Sequence, residues 1–129
     1  MISFQAFRQT DGTPIYLQII RYIQQGLAAG TIRDGDELPS RRVLSALLAV
    51  NPNTVQKAFR LLEDKGLVTS RAGAKSYIQA TPEQIAVLRR ELLETELQTM
   101  VDAARRMGLT REEAHRLLDT LYDKEGTDA

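Results

Sequence analysis

Along the first 80 residues, apolar positions fall into short helical runs broken by capping and turn residues. Residues 1–12 show no useful periodicity and predict a loose arm. From there Ile15, Ile19, Ile20, Ile23 and Leu27 recur at the three- and four-residue steps that line one side of a helix. Thr13-Pro14 reads as an N-cap followed by proline at the first helical position, and Gly30 closes the helix. Arg33-Asp34-Gly35-Asp36 is a turn. Leu38, before Pro39, should be extended, and Ser40 caps a second helix. Val43, Leu44, Leu47 and Leu48 give that helix one apolar face. Asn51-Pro52 then opens a third helix, which buries Val55, Ala58, Phe59 and Leu62 and stops at Gly66. The second and third helices are thus joined by roughly three or four residues, the connection length of a helix-turn-helix. Two β-prone runs, residues 67–70 and 76–79, flank a loop with Gly73 and the cations Arg71 and Lys75. They predict a hairpin with a basic tip.

The pattern changes at Thr81-Pro82, another cap-plus-proline signature. A long helix follows to about Met107 and ends at Gly108. Its stripe is Ile85, Leu88, Leu92, Leu93, Leu97, Met100, Ala104 and Met107. The last five alternate steps of four and three, a heptad seam whose phase slips at Leu92/Leu93. Thr110-Arg111-Glu112-Glu113 is a capping box for a final helix lined by Ala114, Leu117, Leu118, Leu121 and Tyr122. Two helices alone rarely bury enough apolar surface to be stable. The seam can pack back on residues 1–80 or pair with a second copy. The long stripe, and a first unit with its own core, favour the second copy. The expected division is a helix-turn-helix domain with its hairpin over 1–80 and a helical dimerisation region over 81–129. Its interface would use Leu88, Leu92, Leu93, Leu97, Met100, Ala104, Leu117, Leu118 and Leu121.

Charge alters this picture more than composition does. The chain has 129 residues, is 43% hydrophobic and carries no net charge. That average hides a segregation. Residues 1–80 hold ten Lys/Arg against six Asp/Glu, and residues 81–129 hold seven against eleven. Between residues 38 and 62 stand Arg41, Arg42, Lys57 and Arg60 with no acidic residue. This is a positive footprint of the kind a phosphate backbone attracts, although a solvated surface gives the same count. Cysteine is absent, which excludes disulfides, thiolate metal sites and a cysteine nucleophile. No apolar run approaches the ~20 residues that span a bilayer. The N-terminus lacks the plan of a signal peptide, so a cytoplasmic protein is expected.

Four linked blocks then carry a resemblance. They are Pro14-x-Tyr16-x-Gln18-Ile19, Gly35-Asp36-x-Leu38-Pro39-Ser40-x-Arg42-x-Leu44, Val50-Asn51-Pro52-Asn53-Thr54-Val55-x-x-Ala58-Phe59 and Leu62-Glu63-x-x-Gly66-Leu67-Val68. Together they resemble the GntR family of bacterial winged helix-turn-helix regulators, over residues 14–78. The Val-Asn-Pro-Asn-Thr-Val string with a short helical C-terminal part is similar to its YtrA subfamily. The resemblance implies a mostly α fold: three helices plus a β-hairpin wing, then a short two-helix dimerisation arm. It implies that Arg42 reaches DNA and that Arg71, Gly73 and Lys75 belong to the wing. The family's usual wing pattern Gly-x-Gly-Thr-Phe-Val is departed from, since Lys75 replaces its second glycine.

The residues themselves suit that role. The N-terminal end of a recognition helix faces base edges, and here it carries Asn51, Asn53, Thr54, Gln56 and Lys57. Asn and Gln can pair bidentately with adenine, and a Thr methyl can meet a thymine methyl. Asn51 fits a helix cap or a base contact equally. Ser40 lies at a helix N-terminus, where free N–H groups suit a phosphate. Arg41 fits a phosphate contact or a solvated charge.

Catalysis is not expected. The single histidine, His115, shares a helix face with Glu112 and Asp119, and this set reads as a solvated face rather than a metal site. No phosphate-binding loop is present. The sequence therefore predicts a regulator, most simply a repressor, without cofactor. It would bind a pseudo-palindromic double-stranded DNA operator as a homodimer. A small-molecule effector, where one exists, fits the dimer interface better than the interior of one subunit. The competing expectation is a winged-helix module that binds protein and leaves its basic surface idle.

Overall fold

The computed structural model describes residues 1–71 and 75–128. Its element order is α1 (Ile15–Ala29), α2 (Arg41–Leu48), α3 (Pro52–Asp64), β1 (Val68–Arg71), β2 (Lys75–Ile78), α4 (Pro82–Arg106) and α5 (Arg111–Asp128). Two compact units result, Met1–Arg90 and Glu91–Ala129. Among the described residues no helix is long and apolar enough to cross a membrane.

The first unit is a winged helix-turn-helix. Its core is Ile19, Ile23 and Leu27 of α1, Leu44 of α2, and Val55, Phe59 and Leu62 of α3, with Ile78 of β2. Helix α1 stops at Gly30, whose φ of 84° only glycine adopts without strain. Close approach makes the second demand for glycine: a Cβ on Gly26 would stand 2.6 Å from Ile32 Cγ1. Between α2 and α3 the turn is three residues, 49–51, with Ala49 left-handed at φ 55°. The strands pair antiparallel with Val68 opposite Ile78 and Arg71 opposite Lys75. An isolated bridge between Glu37 and Tyr77, and a Leu38 N–H bond to the Ser76 carbonyl at 2.9 Å, tie the lead-in of α2 to the hairpin.

Three expectations are corrected. Residues 1–12 are not a loose arm. Ile2, Phe4 and Phe7 are buried, and both phenylalanines pack on Tyr22 of α1 at ring distances of 4.8 and 5.5 Å. The Ile2 N–H donates to the Glu37 carbonyl, and buried Gln18 takes and gives hydrogen bonds at Thr10 and Thr13. Periodicity missed this segment because an extended strap docks by ring packing and single hydrogen bonds, without a repeat. Helix α1 begins one residue late: Pro14 is its N-cap, and no side chain caps it. Finally, Val43 and Leu47 do not belong to the buried face of α2. They are 55% and 61% exposed, while Leu44 and Ser45 are buried. An eight-residue helix meets its neighbours along one narrow row, and Ser45 joins that row because its hydroxyl is satisfied by the Arg42 carbonyl at 2.9 Å.

In the second unit, α5 is opened by reciprocal hydrogen bonds between Thr110 and Glu113, at 3.0 and 3.1 Å. The Thr110 backbone N–H, then its hydroxyl, hold the Glu113 carboxyl below the usual glutamate range. A depressed folded pKa means that the cap helps above the ordinary glutamate pKa and is lost as pH falls through the lowered one. Among the described side chains from Glu91 onward, none is buried.

Phe4→Ala is expected to cost about 3 kcal/mol of unfolding free energy, the low end for a buried phenylalanine. The measurement is the denaturant midpoint at unchanged slope. No shift at all would return residues 1–12 to a loose arm.

Candidate nucleic-acid interface

Helix α3 is built from its cap outward. Asn51 is extended, its Oδ1 accepts from the Asn53 N–H at 2.8 Å, and Pro52 occupies the first turn, where a missing N–H costs nothing. One row of the helix, Val55, Ala58, Phe59 and Leu62, is buried to 1% exposure or less. With 3.6 residues per turn the opposite row must face solvent. That row is Asn53, Gln56, Lys57 and Arg60, all exposed, with Thr54 half-buried beside it. Ser40 caps α2 by accepting from the Val43 N–H at 3.1 Å, and it and Arg42 are exposed.

Three of the cations sit on aromatic rings. Lys57 Nζ stands 4.1 Å from the centre of the Tyr16 ring, Arg71 Cζ 4.6 Å from that of Tyr77, and Arg41 Cζ 5.3 Å from that of Phe59. A ring face attracts a cation, and here the charged heads themselves make the contact. The side chain is then partly ordered before any ligand arrives. Lys75 faces Arg71 across the hairpin and is exposed. Gly73 lies outside the described residues.

Arg41 differs from the others. It forms an ion pair with Glu63 at 3.5 Å, and the two side chains are 27% and 34% exposed. Its Nε is buried without a hydrogen-bond partner among the described residues. Sequence reasoning named Arg41 but gave no site role to Glu63, Ser70, Tyr16 or Tyr77. A signal existed for Tyr77: in the hairpin register it is the diagonal neighbour of Arg71. The other three depend on contacts between elements, which spacing does not encode.

In the second unit the sequence-predicted interface residues are distributed unevenly. Leu88 lies outside this unit, buried within the first. Leu93, Leu97, Met100, Leu117 and Leu121 are exposed, and Leu92, Ala104 and Leu118 are half-buried. Met100, Ala104 and Leu118 line a cleft of about 360 Å3 between the end of α4 and the start of α5.

The sequence profile described as "Bacterial regulatory proteins, gntR family" matches residues 15–78. The HTH-type transcriptional repressor YtrA of Bacillus subtilis (strain 168) is 33% identical over 106 residues, spanning 81% of this chain and 82% of that protein. The chain belongs to the GntR family. Two solved structures agree. A GntR family transcriptional regulator from Listeria monocytogenes superposes with a TM-score of 0.79 at 28% identity, over 87% of this chain and 98% of that one. YtrA from Sulfolobus acidocaldarius, a GntR-family transcription factor, gives 0.56 at 29% identity, over 78% and 99%.

This GntR protein is YtrA-like, since the likeness to YtrA spans both of its units. It is a DNA-binding transcription regulator and not an enzyme. The family match falls on α1 to β2, the part whose exposed polar row and seated cations are described above.

The cap and the exposed row should separate in stability measurements. Asn51→Ala is expected to cost about 1 kcal/mol, because it strips an N-cap. Gln56→Ala should change stability by less than about 0.5 kcal/mol, as exposed substitutions do. Paired urea unfolding curves check both. An equal loss for Gln56→Ala would mean that its side chain serves the fold.

Proposed function

We propose that this protein is a cytoplasmic homodimeric repressor that reads a pseudo-palindromic operator. The observation that carries the reading is the exposed row Asn53, Gln56 and Lys57 opposite the buried row of α3. A reader of base edges needs amide side chains free at the N-terminal end of its recognition helix. In this reading Asn53, Thr54 and Gln56 meet bases, while Ser40, Arg42 and Lys57 meet backbone phosphates. Arg71 and Lys75 lie along the wing, with Gly73 expected at its tip. Asn51 serves first as the cap.

Dimerisation is proposed on the second unit, because none of its described side chains is buried and its apolar stripe stays open. A second copy would cover Leu92, Leu93, Leu97, Met100, Ala104, Leu117, Leu118 and Leu121. Two heads held this way would meet half-sites about 34–36 Å apart, one turn of DNA. An effector, where one exists, would enter at that interface.

The first test compares a duplex carrying the protein's own upstream region with random duplex at two salt concentrations. A preference of about 10³-fold at the higher salt is expected. Negligible, salt-insensitive binding to both would sink the reading in favour of a protein-binding module. Gln56→Ala should cost about 1–3 kcal/mol on the preferred duplex and little on random DNA. Lys75→Ala should weaken both and lower the salt slope by about one.

Leu97→Glu is expected to yield monomers by analytical ultracentrifugation. Operator affinity should fall about a hundredfold, the scale of a lost second attachment. A dimer that survives this substitution would place the interface elsewhere.

A further inference from the structure

We propose that Arg41 is a positioning residue that fixes the wing against the recognition helix, rather than a contact to DNA. The proposal rests on the DNA-reading function above and assigns its geometry to a closed polar ring. Arg41 opens α2 and pairs with Glu63, in the last turn of α3, at 3.5 Å. The Ser70 hydroxyl of β1 donates to that carboxylate at 2.6 Å. The Ser76 hydroxyl of β2, directly opposite in register, stands 3.4 Å from Ser70 Oγ. The carbonyl of the same Ser76 accepts from the Leu38 N–H at 2.9 Å, three residues before Arg41. The chain of contacts therefore leaves α2, crosses α3 and both strands, and returns to the lead-in of α2.

Several features separate Arg41 from a phosphate ligand. Its guanidinium lies over Phe59, whose ring is 1% exposed and central to the core. Its charge is already met by a carboxylate, whereas its neighbour Arg42 is exposed. The buried Nε fits a side chain held by packing. The Ser70 hydroxyl, spent as a donor to Glu63, can accept from Ser76, so the relay has a consistent direction. Ser76 is buried, which keeps this end of the relay away from solvent. A charge-assisted hydrogen bond and a partly shielded ion pair in series are stronger than a free surface pair.

Glu63→Gln distinguishes the two roles by sign. If Arg41 positions the wing, the variant loosens the ring. The ratio of operator to random-duplex affinity then falls about fivefold, with an unchanged salt slope. If Arg41 were a phosphate ligand held back by Glu63, the variant would free it, tighten binding to both duplexes and steepen the slope by about 0.9. Ser70→Ala, which leaves Arg41 untouched, should lower the same ratio about twofold to threefold; an unchanged ratio would overturn the proposal. Arg41→Ala should lower the ratio without reducing the slope; a slope reduced by about 0.9 would overturn it. Amide exchange in the DNA-free protein gives an independent readout. The Leu38 N–H should exchange about fivefold faster in Glu63→Gln, with the α1 amides unchanged. If the wild type showed no operator preference, the functional reading would fall, and this exchange measurement alone would decide the ring.

Discussion

The burial of one row of α3 is the constraint on which the rest of the first unit depends. Val55, Ala58, Phe59 and Leu62 lose essentially all contact with water. Side chains of this size gain about 1.5–3 kcal/mol each on full burial, apart from the smaller alanine. No rotation of the helix preserves that burial, because a turn of about 100° per residue would bring Gln56 or Lys57 into the core. The exposed face is therefore set by the apolar face. Residues on it can vary in chemistry without altering the fold, since none of them supports the core.

The aromatic residues follow the same division of labour. Phe4, Phe7 and Tyr22 form one cluster that fastens the N-terminal strap to α1. Tyr16, Phe59 and Tyr77 each lie under a cation. A long cationic side chain loses up to about 2 kcal/mol of rotamer entropy when it is pinned. Part of that cost is met in the free protein when the charged head already rests on a ring, as it does for Lys57 and Arg71.

Much of this was legible in the sequence, for a physical reason. Caps, prolines and helix-stopping glycines act within a few residues, so Ser40, Asn51-Pro52, Gly66 and the Thr110–Glu113 box announce the elements they delimit. The exposed row of α3 was legible too, because its apolar complement has a clear period. What sequence missed was tertiary. The strap of residues 1–12 docks without periodicity, α2 is too short for its period to choose a face, and Arg41 takes its meaning from Glu63 and Ser70, 22 and 29 residues later. A basic residue reads as an open charge until its partner is located.

The zero net charge also takes its sense from the two units. Residues 1–90 carry an excess of five positive charges and residues 91–129 the same excess of negative ones. The first unit has a core of its own, whereas the second has no buried described side chain. A dimer built through the second unit would separate two stabilities. The reading head would fold independently of concentration, while the pairing helices would gain theirs only from association. Operator affinity would then depend on protomer concentration even with the head fully folded, since a lone head gains nothing from a tethered second attachment. Acidic surface on the pairing helices would also keep them from competing for phosphate, leaving the basic head as the only attractive approach to DNA.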